Sequence, residues 1–164
     1  MTDSSNGADA HYDVVIMGGG IGGVFQARHL LLNIPGIKLA IVEPRSREEI
    51  AKISKIGEST VEIAGMFMVR ELGLGAYLTE NHLPKYGLNF HWPKDAAKTE
   101  DIGDYYSMWA LKQPPIHAFQ VHRGRLESDL LAMNEAMGVD IIEAKVADFD
   151  ISSGDDRNAV HVEA

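Results

Sequence analysis

The chain opens polar and turns apolar at Tyr12–Met17, YDVVIM, a short β-branched run of the kind that fills a buried strand. A glycine cluster, Gly18–Gly23, follows it. From Ile21 to about Asn33 the apolar positions Val24, Phe25, Ala27, Leu30 and Leu31 recur with helical spacing, and Pro35-Gly36 stops that helix. Ile37–Val42, IKLAIV, predicts a second buried strand that closes at Glu43-Pro44. Strand, glycine turn, helix and strand within about thirty residues predict a βαβ unit with a right-handed crossover.

Beyond it the pattern loosens. Residues 44–60 predict a polar, basic loop, Val61 to about Glu71 a helix, and Leu74–Asn81 a shorter one. Tyr86–Trp92 alternates as a strand does. Tyr105–Leu111 and His117–Val121 predict further strands on either side of Pro114-Pro115. Arg125–Met137 predicts a helix with Leu126, Leu130, Leu131, Met133 and Met137 on its apolar face, ended by Gly138. Val139–Ile142 predicts a third core strand. Lys145–Ile151 and Asn158–Val162 predict a hairpin across Ser153-Gly154-Asp155. The fold class is therefore α/β, with a segment at about 44–116 inserted between the second and third strands.

Composition narrows the partners. The 164 residues are 45% hydrophobic and 24% charged, enough for one domain with a sizeable core. A net charge of −9, spread along the chain, disfavours nucleic acid and anionic membranes. No apolar run reaches the ~18–20 residues of a membrane span. The polar stretch at 1–10 is read as a disordered tail and not a leader. With no cysteine there is neither disulfide nor thiolate chemistry, which fits a cytoplasmic setting. Seven histidines show no paired ligand spacing, so no metal site is expected.

Gly18, Gly20 and Gly23 stand in the G-x-G-x-x-G register, between a strand and a helix. The first glycine permits the tight turn, the second lets backbone approach a diphosphate, and the third lets helix pack on strand. The helix start offers N–H groups and a positive dipole end to the phosphates. Glu43, twenty residues past Gly23 at the end of the next strand, is placed to accept hydrogen bonds from an adenosine ribose. The competing reading, a turn that only permits packing beside a solvated acid, explains neither the spacing nor the flanking elements. Dinucleotide binding is expected.

The interrupted layout and the closing hairpin resemble the FAD-binding fold of flavoprotein monooxygenases. VHRGRLESDLL, Val121–Leu131, resembles that family's strand-to-helix segment, where an arginine lies near the flavin. The resemblance gives that role to Arg123, with Arg125 second; a surface charge at a helix start is the other reading. EAKVADFDI, Glu143–Ile151, resembles the segment whose backbone valine lies beside adenine, here Val146.

A narrower resemblance is carried by KIGESTVE, Lys55–Glu62, which looks like the G-E-[ST] loop of flavin-dependent halogenases, a branch of the same fold. It implies that Gly57, Glu58, Ser59 and Thr60 form a strap near the flavin. Capping of the next helix by Ser59 or Thr60 is the alternative. LPKYGLNFHW, Leu83–Trp92, resembles the family's lysine-bearing strand and implies that Lys85 is the catalytic lysine. By that resemblance the chain is the N-terminal portion of a Rossmann-like FAD-binding domain, and the family's W-x-W-x-I-P signature is expected further along.

The same resemblance implies an oxidoreductase in which reduced FAD, supplied by a separate flavin reductase, forms a hydroperoxide that oxidises a halide to hypohalous acid. Lys85 then directs the electrophile to a small, electron-rich aromatic substrate, free or tethered to a carrier protein. An FAD monooxygenase or reductase without halide chemistry, and a non-catalytic nucleotide-binding fragment, are the alternatives.

Overall fold

In a computed structural model that describes residues 10–109, 118–152 and 158–163, the chain begins β1 (Val14–Met17), α1 (Ile21–Asn33), β2 (Leu39–Val42) and α2 (Arg47–Ala51). It continues through α3 (Glu62–Met66), α4 (Gly75–Asn81), β3 (Leu83–Lys85), β4 (Asn89–Pro93), β5 (Tyr105–Trp109) and β6 (Ala118–Gln120). It ends with α5 (Arg123–Ala136), β7 (Asp140–Ile142), β8 (Lys145–Asp150) and β9 (Ala159–Glu163). The described residues divide into two compact units, one drawn from 1–54 and 123–164, the other spanning Lys55–His122.

In the first unit β2 is buried at all four positions, as expected of a strand with a parallel neighbour on each side. The sheet order is β1-β2-β7, with Val14 opposite Leu39 and Ala40 opposite Asp140. Helices α1 and α2 both pack on α5, whose Leu126, Leu130 and Leu131 are almost wholly buried. Asn134, also on α5, is fully buried and donates from Nδ2 to the Val24 carbonyl at 2.9 Å. That bond satisfies a polar group inside the core and joins the two helices. β8 and β9 form the expected hairpin; its Ser153-Gly154-Asp155 turn lies outside the described residues.

The polar loop expected at 44–60 is corrected in part by α2. Ser46 caps it through a reciprocal bond pattern with Glu49, and a single apolar residue, Ile50, is fully buried. One buried position in five residues is too few to show a period, so composition alone reads as loop.

The second unit holds two antiparallel pairs, β3 with β6 and β4 with β5. The helix expected over Val61–Glu71 runs α-helical only to Met66 and continues as a wider π turn, Phe67–Glu71. Leu72 N–H closes that turn on the Phe67 carbonyl at 3.2 Å, and both Met68 and Leu72 point into the core. The strand expected at Tyr86–Trp92 begins only at Asn89, because Gly87 takes a positive φ of 118° that interrupts extended backbone. The shorter β3 precedes that break. The 1–10 tail, apart from Ala10, and the Pro114-Pro115 break lie outside the described residues.

Leu130 has 0% exposure, so Leu130→Ala is expected to cost about 2–5 kcal/mol of stability, read from the denaturant midpoint at unchanged slope.

Candidate functional site

The glycine turn follows directly from β1. Gly18 has a φ of 107°, a region closed to most side chains, and its N–H donates to the Val42 carbonyl at 2.8 Å. A Cβ on Gly23 would lie 2.0 Å from the Gly18 carbonyl oxygen, so the turn and the first turn of α1 pack only because Gly23 has none. Over Gly20 there is nothing within 4 Å of where a side chain would start. Gly20 is also the N-cap of α1 and brings no side-chain cap. The result is a bare backbone concavity at a helix start, the geometry that accepts a diphosphate. The residues present therefore fit a dinucleotide.

Glu43 turns back into this concavity. It is 2% exposed, and Oε2 accepts from the Gly19 N–H at 2.9 Å. Arg45 grips the same carboxylate twice, Nε to Oε1 at 2.6 Å and Nη2 to Oε2 at 3.0 Å, while its backbone N–H reaches Oε1 at 3.2 Å. Burial pushes the Glu43 carboxyl up, but Arg45 and the two backbone N–H groups outweigh it and hold the group below its ordinary value. Two lone pairs on each oxygen are thus taken within the protein. A ribose diol reaching Glu43 must displace Arg45, whose side chain is 39% exposed.

A second buried carboxylate lies behind the turn. Glu127 on α5 has no exposure, accepts from the Ile21 N–H at 3.2 Å and from Arg123 Nη2 at 2.7 Å. Arg123 is thereby anchored to its own helix one turn on. The expected helix began at Arg125, so the i,i+4 pairing of Arg123 with Glu127 went unread; the four-residue spacing was the available signal once the helix starts at Arg123. Val146 lies in β8 opposite Val162, beside a register shift, and no hydrogen bond among the described residues ties it to the turn. A cleft of about 190 Å³ opens beside Arg45, lined also by Arg47, Leu131, Glu135, Ile141 and Glu143.

In the second unit the strap runs along β6. Thr60 N–H donates to the Phe119 carbonyl at 2.9 Å, Val121 N–H donates to the Glu58 carbonyl at 2.7 Å, and Ser59 pairs with Gln120. Gly57, with a φ of 89°, turns the chain into this pairing. Thr60 Oγ1 donates to the Phe119 carbonyl at 2.9 Å and accepts from its N–H at 2.7 Å. Helix capping by Ser59 or Thr60 is therefore not what occurs: the N-cap of α3 is Val61, without a side-chain bond. Lys85, on β3, donates from Nζ to Ser59 Oγ at 2.9 Å and to the Thr60 carbonyl at 3.0 Å. Two features singled out separately in the sequence are in direct contact. Among the described residues no group of three potential metal ligands occurs, and no helix is long and apolar enough to cross a membrane.

A parallel sheet with a glycine turn and a carboxylate at the end of its second strand, accompanied by antiparallel hairpins, is the Rossmann-like α/β fold of FAD-binding halogenase domains. Sequence and fold together relate the chain to the flavin-dependent halogenases. It is 47% identical over 157 residues to flavin-dependent halogenase chlA of Dictyostelium discoideum, a match covering 93% of this chain and 26% of that protein. The chain thus spans about a quarter of the length of that curated relative. Among solved structures, the myxobacterial chondrochloren halogenase CndH superposes with a TM-score of 0.66 at 24% identity, over 87% of this chain and 31% of that one. Halogenase PltM in complex with phloroglucinol and FAD gives 0.67 at 16% identity, over 93% and 31%. No protein-family model matches the sequence.

The depressed Glu43 carboxyl predicts an acid limb. Stability from the ionised group is complete above its ordinary value of 4.5 and is lost as pH falls through the lower folded value. Glu43→Gln is expected to be less stable at neutral pH and to lose less on acidification, measured by urea denaturation across a pH series. Glu127→Ala, which leaves Arg123 facing an empty acceptor site, is expected to cost about 3 kcal/mol in the same assay.

Proposed function

We propose that the chain binds FAD and serves an enzyme that halogenates a small, electron-rich aromatic ring. The observation that carries this reading is the buried Glu43 tied to the Gly19 N–H at an open glycine turn, in a chain so similar to chlA. Gly18, Gly20 and Gly23 with the first turn of α1 receive the diphosphate, and Glu43 receives the ribose as Arg45 swings outward. Val146 offers backbone to adenine. Gly57–Thr60 and Arg123 serve the isoalloxazine end.

FAD, reduced by a separate flavin reductase, supplies when bound the oxygen-dependent oxidation of chloride or bromide to hypohalous acid. Lys85 does the positioning. Its ammonium donates a hydrogen bond to the hypohalous acid, or its amine takes up the halogen, and either converts a diffusible oxidant into an aimed electrophile. The aromatic substrate arrives free or on a carrier protein.

FAD titration of the purified chain, followed by quenching of flavin fluorescence, is expected to saturate. Glu43→Ala is expected to weaken binding about tenfold, the equivalent of one charge-assisted hydrogen bond. A chain that folds and does not bind FAD would falsify the proposal. Lys85→Ala is expected to drop halogenated product at least about 100-fold while oxygen consumption with the reductase persists. Product formation at the wild-type rate would remove Lys85 from the chemistry.

A further inference from the structure

We infer that Ser59 is a positioning residue for Lys85, holding its ammonium in a charge-neutral mount that leaves one N–H aimed outward; the inference rests on the catalytic reading of Lys85. A lysine ammonium has three N–H donors and no acceptor. Two are committed, to the Ser59 hydroxyl and the Thr60 carbonyl, at 2.9 and 3.0 Å. Both acceptors are uncharged. Among the described residues no carboxylate lies within ion-pair distance of Lys85.

That difference decides what the third N–H is worth. A carboxylate partner would cancel much of the ammonium's field at short range, whereas neutral oxygens fix the group and leave its charge available. The remaining donor therefore suits an oxygen or halogen carrying negative charge. Arg45 and Arg123 differ in this respect, since each meets an acid directly, Glu43 and Glu127.

The mount is also stiff. Ser59 and Lys85 are 26 residues apart, yet both belong to segments paired with β6, Ser59 opposite Gln120 and Lys85 opposite Ala118. Local structure supplies no other use for the Ser59 hydroxyl: it does not cap α3. Being exposed, the residue is open to substitution without a cavity.

The test compares wild type with Ser59→Ala and Ser59→Thr. Acylation of Lys85 by an N-hydroxysuccinimide ester, followed by peptide mass spectrometry with the exposed Lys52 and Lys145 as internal references, needs neither flavin nor substrate. Ser59→Ala is expected to raise the Lys85 rate about fivefold by releasing the amine, and Ser59→Thr, which keeps the hydroxyl, to stay within about twofold of wild type. In turnover with reduced FAD and halide, Ser59→Ala is expected to lower kcat about tenfold with KM for the aromatic substrate unchanged, and Ser59→Thr to restore it. Equal acylation of Lys85 in wild type and Ser59→Ala, or a threonine variant that behaves like alanine, overturns the mount. Failure of the catalytic reading shows differently: Lys85→Ala then halogenates normally, whatever the acylation rates.

Discussion

Glu43 stands where β2 ends, its backbone N–H on the Ile142 carbonyl at 3.0 Å and its side chain turned back to Gly19. One residue thus links the end of β7 to the turn after β1. The shape of the glycine concavity depends on that link, because the turn contributes no side chains of its own. A solvated acid at the same place would leave Gly19 without this acceptor and the turn without a fixed edge.

The electrostatics around the start of α1 are unusual for an anion site. Glu43 and Glu127, both buried, each take a backbone N–H from the segment where a diphosphate would bring more negative charge. Arg45 and Arg123 supply the balance. Pairs with a buried carboxylate add little net stability, since desolvation offsets most of the attraction. What they supply is a fixed geometry, with Arg45 the more exposed of the two arginines, 39% against 21%.

The parts legible in sequence were those with a strong local period or a fixed motif. The β1–α1–β2 unit, α5, the third parallel strand and the closing hairpin all declare themselves through apolar spacing and breakers. α2 did not, because its capping box outweighs a nearly featureless hydrophobic pattern. Nor did the role of Arg45, which depends on a side chain folding back two residues. The meeting of Ser59 and Lys85 was beyond any local rule, since it is made by two segments sharing β6. The family resemblance marked both residues, and only strand pairing joins them.

The π turn at Phe67–Glu71 carries a consequence for chain length. Such a turn holds one residue more than an ordinary α-helical turn. Removing that residue would let the helix regularise, but it would rotate Glu62–Met66 by about 100° against the Leu72–Leu78 side of the core. The strap that leads into this helix would be swung off β6 by a deletion several residues away. A gap at this point in the gene is therefore not a silent trimming of a helix, and the irregular turn works as a spacer whose width sets the phase of the short helix and strap that precede it.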